Sequence, residues 1–468
     1  MAVPPLPIVW QKDAPKDTYE KARVGRVFNA RRPNRYPRAV VEATHPAHVQ
    51  EAVQLANKLG CRVSVRSGGH SWAAWSVRDD AILIDLGKMK HLEVDKEKRI
   101  VAASPSTTGM MLNEKLVPEG LLFCGGHCPD VGIGGFLLQG GMGWNCKNWG
   151  WACEQIAGID VVTAAGESLH CSEMENTELF WCARGAGPGF PAIVTRFYLK
   201  VRPRPEVMLK SIFIYPISEY KVVMDWITKA RLSISPTSDD GNEIVAVGLT
   251  PPGLDQPCIM ANTVTFQSTH EAALAALEPI NSTRPPGALV EIISEPTSIK
   301  EQYADQAAAN PSNHRYCAEN AYLANDSDAT AVLEKAFTTL PHQKSFALWF
   351  SMAPGSRRVL PDMALSMQSD HYFALYTIWE KAEDDERCRN WVHDIMKDVA
   401  PSSVGAYLGD SDFQQRKTKF WKDENAERLM TLRKKWDPKG VVSGYLDAGD
   451  ESGVNGLDNQ EWVATSLL

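Results

Sequence analysis

Two short segments of this 468-residue chain join glycine turns to nucleophilic side chains. The first is Arg66-Ser67-Gly68-Gly69-His70-Ser71, and the second is Cys128-Pro129-Asp130-Val131-Gly132-Ile133-Gly134-Gly135. Glycines let main-chain N–H groups close on a phosphate with no Cβ in the way. A nucleophile beside such a cradle can bond covalently to whatever the cradle holds. The pair therefore predicts a pyrophosphate-bearing cofactor tethered at two points, by the His70 imidazole and the Cys128 thiol.

Other readings of these residues are weaker. Cys124, His127 and Cys128 have poor spacing for a structural zinc site, and no second ligand pair follows. Gly185-Ala186-Gly187-Pro188-Gly189 is not a nicotinamide-dinucleotide fingerprint. That motif needs a strand before it and a helix after it, whereas Pro188 and Pro191 interrupt here and 192–201 reads as a strand.

The two segments resemble the berberine-bridge-enzyme-like flavoproteins of the vanillyl-alcohol oxidase / p-cresol methylhydroxylase superfamily. The resemblance continues through Gly140-Gly141-Met142-Gly143-Trp144 and Arg184-Gly185-Ala186-Gly187-Pro188-Gly189, and resumes at Trp436-Asp437-Pro438. It implies FAD whose pyrophosphate is wrapped by Arg66, Ser67, Gly68, Gly69 and Ser71. It implies two covalent links, His70 to the flavin 8α carbon and Cys128 to carbon 6. Further implied contacts are Val131, Gly132, Gly134, Gly135, Gly140, Gly141, Trp144 and Ile193. Phe190-Pro191-Ala192 departs from the Asn-Phe-Gly common in the family.

The resemblance also frames the chemistry. A small residue at Val131, three after the linking cysteine, resembles oxidases, whereas a bulkier one accompanies poor use of oxygen. Amine-cyclising relatives carry a Glu on a strand that matches 371–379, but Ala374 or Leu375 stands there, so the berberine-bridge reaction itself is not supported. Alternation puts Tyr372, Ala374 and Tyr376 on one face. Tyr407-Leu408-Gly409-Asp410 replaces the Tyr-x-Asn-Tyr of sugar-oxidising relatives. Tyr407 is the first candidate for the base, with Asp410, Tyr372 and Tyr376 next. A Tyr near pKa 10 needs help to act as a base at neutral pH.

The expected activity is an FAD-dependent oxidase. It takes hydride from a C–H beside a hydroxyl or amine of an oligosaccharide, alcohol or secondary metabolite and reduces O2 to hydrogen peroxide. The alternatives are a dehydrogenase with another acceptor and a flavin-binding protein without turnover.

Such residues need a sizeable scaffold. A chain of 468 residues exceeds what one core usually fills. It is 44% hydrophobic and 23% charged, an ordinary globular composition. A net charge of −8 argues against nucleic acid or anionic membrane as partner, and no apolar run approaches a membrane span. The N-terminal Met1-Ala2-Val3-Pro4-Pro5-Leu6-Pro7 does not read as a secretory signal. The expectation is therefore intracellular residence with mostly reduced cysteines, or secretion if a signal has been trimmed.

The pattern predicts an α+β fold in three stretches. Residues 1–204 form the first part of an FAD-binding domain of the p-cresol methylhydroxylase type, with strands at 39–43, 62–66, 81–86, 99–103 and 155–163 and helices at 45–59 and 107–116. Residues 205–404 form a substrate domain, an antiparallel sheet covered by helices. Its strands are expected at 209–215, 243–249, 259–266, 345–351 and 372–379, with helices at 220–231 and 270–277. Residues 405–468 return to the FAD-binding domain.

Overall fold

The pattern Val49, Ala52, Val53 and Ala56 puts four apolar residues on one helical face, and all four are fully buried. Their helix, Pro46–Leu59, starts on a proline, whose fixed φ and missing N–H suit the first turn. It links strand Ala39–Glu42 to strand Val63–Arg66. Both strands pair in parallel with Ile82–Asp85, and Ile8–Trp10 closes the sheet antiparallel to Ala39–Glu42. The computed structural model describes residues 4–233, 241–412, 415–416 and 418–444, so the predicted return beyond residue 444 lies outside the described residues.

A second, antiparallel sheet has the order Leu92–Asp95, Ile100–Ala103, Ala192–Lys200, Ile156–Thr163, Ser168–Ser172. The C-terminal segment reaches back to the first sheet. Both Asp437 carboxylate oxygens accept main-chain N–H bonds, from Val441 and Val442 at 2.8 Å each. This turn lays Val442 beside Val63 in a parallel bridge. Val441 and Val442 are buried in the core under that sheet.

The third sheet is antiparallel and has eight strands: Val290–Pro296, Val207–Pro216, Cys258–Gln267, Asn242–Leu249, Phe346–Ser351, His371–Trp379, Arg315–Leu323, Ser403–Gly405. Its two faces separate by alternation. Ile244, Ala246, Ala347, Trp349, Phe373 and Leu375 pack under helices Tyr220–Ser233, Ala329–Thr338 and Asp385–Val399 in one core. The neighbouring positions Glu243, Val245, Val247, Leu348, Phe350, Tyr372 and Tyr376 face a cavity instead. A one-residue slip would exchange the two sets. Burying an apolar side chain is worth about 1.5–3 kcal/mol, so the six core residues hold the register firmly.

The mixed fold with an antiparallel sheet agrees with the α+β expectation. Among the described residues, no helix is long and apolar enough to cross a membrane.

Candidate active site

Strand Val63–Arg66 delivers the first glycine segment, but its arginine turns away from it. The Arg66 guanidinium is buried and bonds Asp85 Oδ2 through Nε at 3.0 Å and Nη2 at 2.6 Å, and it also donates to the carbonyls of Ala22 and Arg23. Arg66 lines the cavity, but with its guanidinium held by Asp85 the segment presents main chain there. The N–H groups of Gly68, Gly69, His70 and Ser71 donate to no described residue. Four successive free donors at a cavity wall form a concavity of the kind that suits phosphate oxygens.

The second glycine segment locks into the first. A Cβ on Gly68 would lie 2.6 Å from the Gly132 nitrogen, and a Cβ on Gly132 would lie 2.7 Å from the Gly68 Cα. Gly69 has φ +83°, and its Cβ would strike the Arg26 carbonyl. The Gly135 N–H donates to Ser67 Oγ at 3.3 Å, and Gly134 packs against the same side chain. His70 and Cys128 are brought to one cavity of about 420 Å³, along with Val131, Gly132, Gly134, Gly135, Trp144 and Ile193. The His70 ring stacks on Phe28 at 4.0 Å, and its Nε2 lies 3.0 Å from Asp130 Oδ1, out of line for a hydrogen bond. Burial, with Asp130 and Asp410 nearby, pushes the Cys128 thiol up to about 12.

Gly140 and Gly141 do not line this cavity. Gly140 sits against Leu365, and Gly141 against Ala152 and Phe136. Their turn aims the Met142 N–H at the Tyr407 hydroxyl oxygen, 3.0 Å away.

The third sheet and a loop after it supply the acid–base groups. Tyr372 donates its hydroxyl to Asp410 Oδ2 at 2.6 Å. Burial raises the Asp410 carboxyl above its ordinary range, opposed by hydrogen bonds from Tyr372 and Tyr376, the positive His127 and a contact from Trp72. Burial foremost, then Asp410, lifts the phenols of Tyr372, Tyr376 and Tyr407 well above theirs. The loop is pinned at several points. Asn320 exchanges two 2.7 Å bonds with the Tyr407 main chain, Ser411 donates to Glu319 at 2.7 Å, and Arg31 pairs with Asp412 at 2.7 Å. All four predicted acid–base candidates therefore meet at one cavity wall.

Sequence reasoning missed His127 and Glu243. His127 Nε2 lies 2.9 Å from Glu243 Oε1, and Glu243 Oε2 accepts the Asn145 N–H at 2.7 Å. Burial would lower the imidazole, but the bonded Glu243 carboxylate, aided by Asp410, outweighs it and raises the pKa. The only sequence signal was a histidine beside Cys128; its partner lies 116 residues away, at the start of a strand.

Known proteins resemble this chain in sequence and in fold. Residues 37–172 match the family described as FAD binding domain, and residues 406–442 match berberine and berberine like. The chain is 42% identical to the FAD-linked oxidoreductase ptmO of Penicillium ochrochloron over 92% of this chain and 94% of that one. It is 25% identical to a carbohydrate oxidase of Microdochium nivale over 88% and 87%. The solved structure of Physcomitrella patens BBE-like 1 superposes with a TM-score of 0.80 at 18% identity, covering 94% and 96% of the two chains.

Proposed function

Given that the chain belongs to the berberine-bridge-enzyme-like FAD-linked oxidoreductases, we propose that it is an oxidase acting on a C–H beside a hydroxyl or amine. The observation that carries this reading is the buried Asp410 carboxyl. It is bonded by Tyr372 at 2.6 Å in the cavity that His70 and Cys128 also line.

The cavity suits the cofactor. The free N–H run at 68–71 and the interlocked glycines fit a pyrophosphate, and His70 and Cys128 would hold the ring at its 8α and 6 positions. When bound, FAD supplies the hydride acceptor and passes the electron pair to O2, giving hydrogen peroxide.

Asp410 takes the substrate proton. Its raised pKa makes it a stronger base than an ordinary aspartate, and Tyr372 and Tyr376 keep its carboxylate oriented. This assignment moves the base role from Tyr407, whose oxygen already accepts the Met142 N–H and whose phenol is far too weakly acidic to be ionised. Val131 lines the same cavity and leaves room for oxygen.

The substrate side of the cavity is mostly apolar, with Val245, Val247, Met260, Leu348 and Phe350 on the sheet face. This favours a largely apolar alcohol or amine over an oligosaccharide, whose hydroxyls need many polar partners. An anaerobic screen for flavin bleaching tests the activity. Apolar alcohols and amines should bleach the flavin, and O2 should then restore colour with release of peroxide. Absence of bleaching across alcohols, amines and sugars would refute the oxidase reading.

A further inference from the structure

Register sorts the cavity face of the eight-stranded sheet into rows. Asn262, Val245, Phe350 and Tyr372 form one row, and Met260, Val247, Leu348 and Ala374 the next. Tyr372 ends the first row at the reacting side, beside Asp410. The other end of the face is lined by Val245, Val247, Met260 and Leu348, with Gln302, Gln306 and Asn310 reaching the cavity from outside the sheet, and two polar groups stand next to Glu243. Asn262 makes no side-chain hydrogen bond to a described residue, and its Oδ1 is buried. The other is His127, whose Nε2 is held by Glu243 and whose Nδ1 has no described partner.

The placement of the pair has a chemical consequence. Glu243 is buried and shared between His127 and the Asn145 N–H, so its charge is spent within the wall. The imidazole, packed on Trp144 at 4.3 Å, is fixed in orientation. With Nε2–H donating to the carboxylate, Nδ1 is an acceptor in the neutral ring and a donor in the imidazolium, and a hydroxyl can partner it in either state. An anion there would be repelled by Glu243, so a neutral oxygen suits it better. A polar group left unpaired in a dry wall is costly, which makes Asn262 and His127 poor choices for a surface that only packs hydrocarbon.

We propose that His127 and Asn262 form a second anchoring point in the active cavity, which binds a neutral hydroxyl at the far end of the substrate. The inference rests on the oxidase reading and names its substrate class more closely. Neighbouring strands lie about 4.8 Å apart. The strand of Glu243 is two strands from that of Tyr372, and the strand of Asn262 is three away. The substrate is therefore an elongated, mostly apolar alcohol or amine, with its second oxygen roughly 10 Å from the reacting group.

The test uses two probes that differ only in that oxygen: 4-phenylcyclohexanol and 4-(4-hydroxyphenyl)cyclohexanol. Each is titrated anaerobically into the oxidised holoenzyme, and binding is read from the change in the flavin visible spectrum. The wild type should bind the hydroxyphenyl compound about tenfold more tightly, as expected for one added hydrogen bond. His127→Phe should bring the two affinities within about twofold while leaving that of 4-phenylcyclohexanol nearly unchanged. His127→Gln, which keeps a donor, should recover part of the preference. Asn262→Leu should also lower it, and this variant decides the matter if His127→Phe fails to load flavin, because no side-chain bond is lost. A pair that merely stiffened the Cys128 loop would weaken both probes alike. No preference in the wild type, including no binding by either probe, overturns the proposal, and so does a preference that survives in the variants. Binding with the expected preference but without flavin bleaching would count against the oxidase reading alone. Bleaching without preference would count against the anchor alone.

Discussion

At the residue scale the central group is Asp410, whose carboxyl is buried and raised in pKa. If Asp410 is the proton acceptor it works only when ionised, and flavin reduction should fall as pH drops through that raised value. The acid limb of the pH–rate profile is expected above the ordinary aspartate value of about 3.9. Asp410→Asn should remove that limb and slow flavin reduction about 10²–10⁴-fold, roughly 3–5 kcal/mol of transition-state stabilisation. Flavin content should stay unchanged. Stopped-flow reduction across pH measures all of this, and a wild-type rate in the variant would move the base elsewhere. Tyr407→Phe should act differently. It strands the buried Met142 N–H and costs about 1–3 kcal/mol of stability, with a smaller loss of reduction rate than Asp410→Asn. Val131→Leu should slow reoxidation by O2 and leave reduction by substrate alone; equal reoxidation rates would remove Val131 from the oxygen path. These residues were individually legible as candidates, but their hydrogen-bond partners were not. The preference for Tyr407 arose because a sequence shows residue types and not that the Met142 N–H already occupies the phenolic oxygen.

At the element scale the site depends on two loops that fit only as glycine. A Cβ on Gly132 would sit 2.7 Å from the Gly68 Cα, so Gly132→Ala must push the segments apart. Overpacking of this kind costs about 1–3 kcal/mol. The expected outcome is a lower melting temperature together with poor flavin incorporation, checked by thermal melts and by absorbance of the purified protein. Normal flavin content in Gly132→Ala would show that the loops need not interlock. The loops and the strand leading into them could be read from sequence because glycine clusters and apolar runs are local signals. The strand Arg315–Leu323 could not. Its residues Cys317, Ala318, Glu319, Asn320 and Ala321 are buried on both faces, so no period-two pattern marks it. Its Glu319 and Asn320 look like surface residues until the loop at 407–411 is seen to bond them.

At the scale of the whole molecule the cavity exists because separate parts of the chain close around it. The N-terminal glycine loops give one wall, and the antiparallel sheet and the loop after it give the other. The mixed fold was readable from the alternation of strand and helix patterns. The pairings that join the walls were not, since His127 and Glu243 lie 116 residues apart and Tyr372 and Asp410 lie 38 apart. Long-range pairs of this kind leave no periodic trace. The proposed chemistry requires FAD held at both His70 and Cys128, and mass spectrometry of acid-denatured, protease-digested protein tests this most directly. The predicted result is a yellow precipitate and one FAD cross-linking the peptides that carry His70 and Cys128, with Cys128→Ala retaining flavin on the His70 peptide alone. Release of all the flavin into the acid supernatant would contradict it.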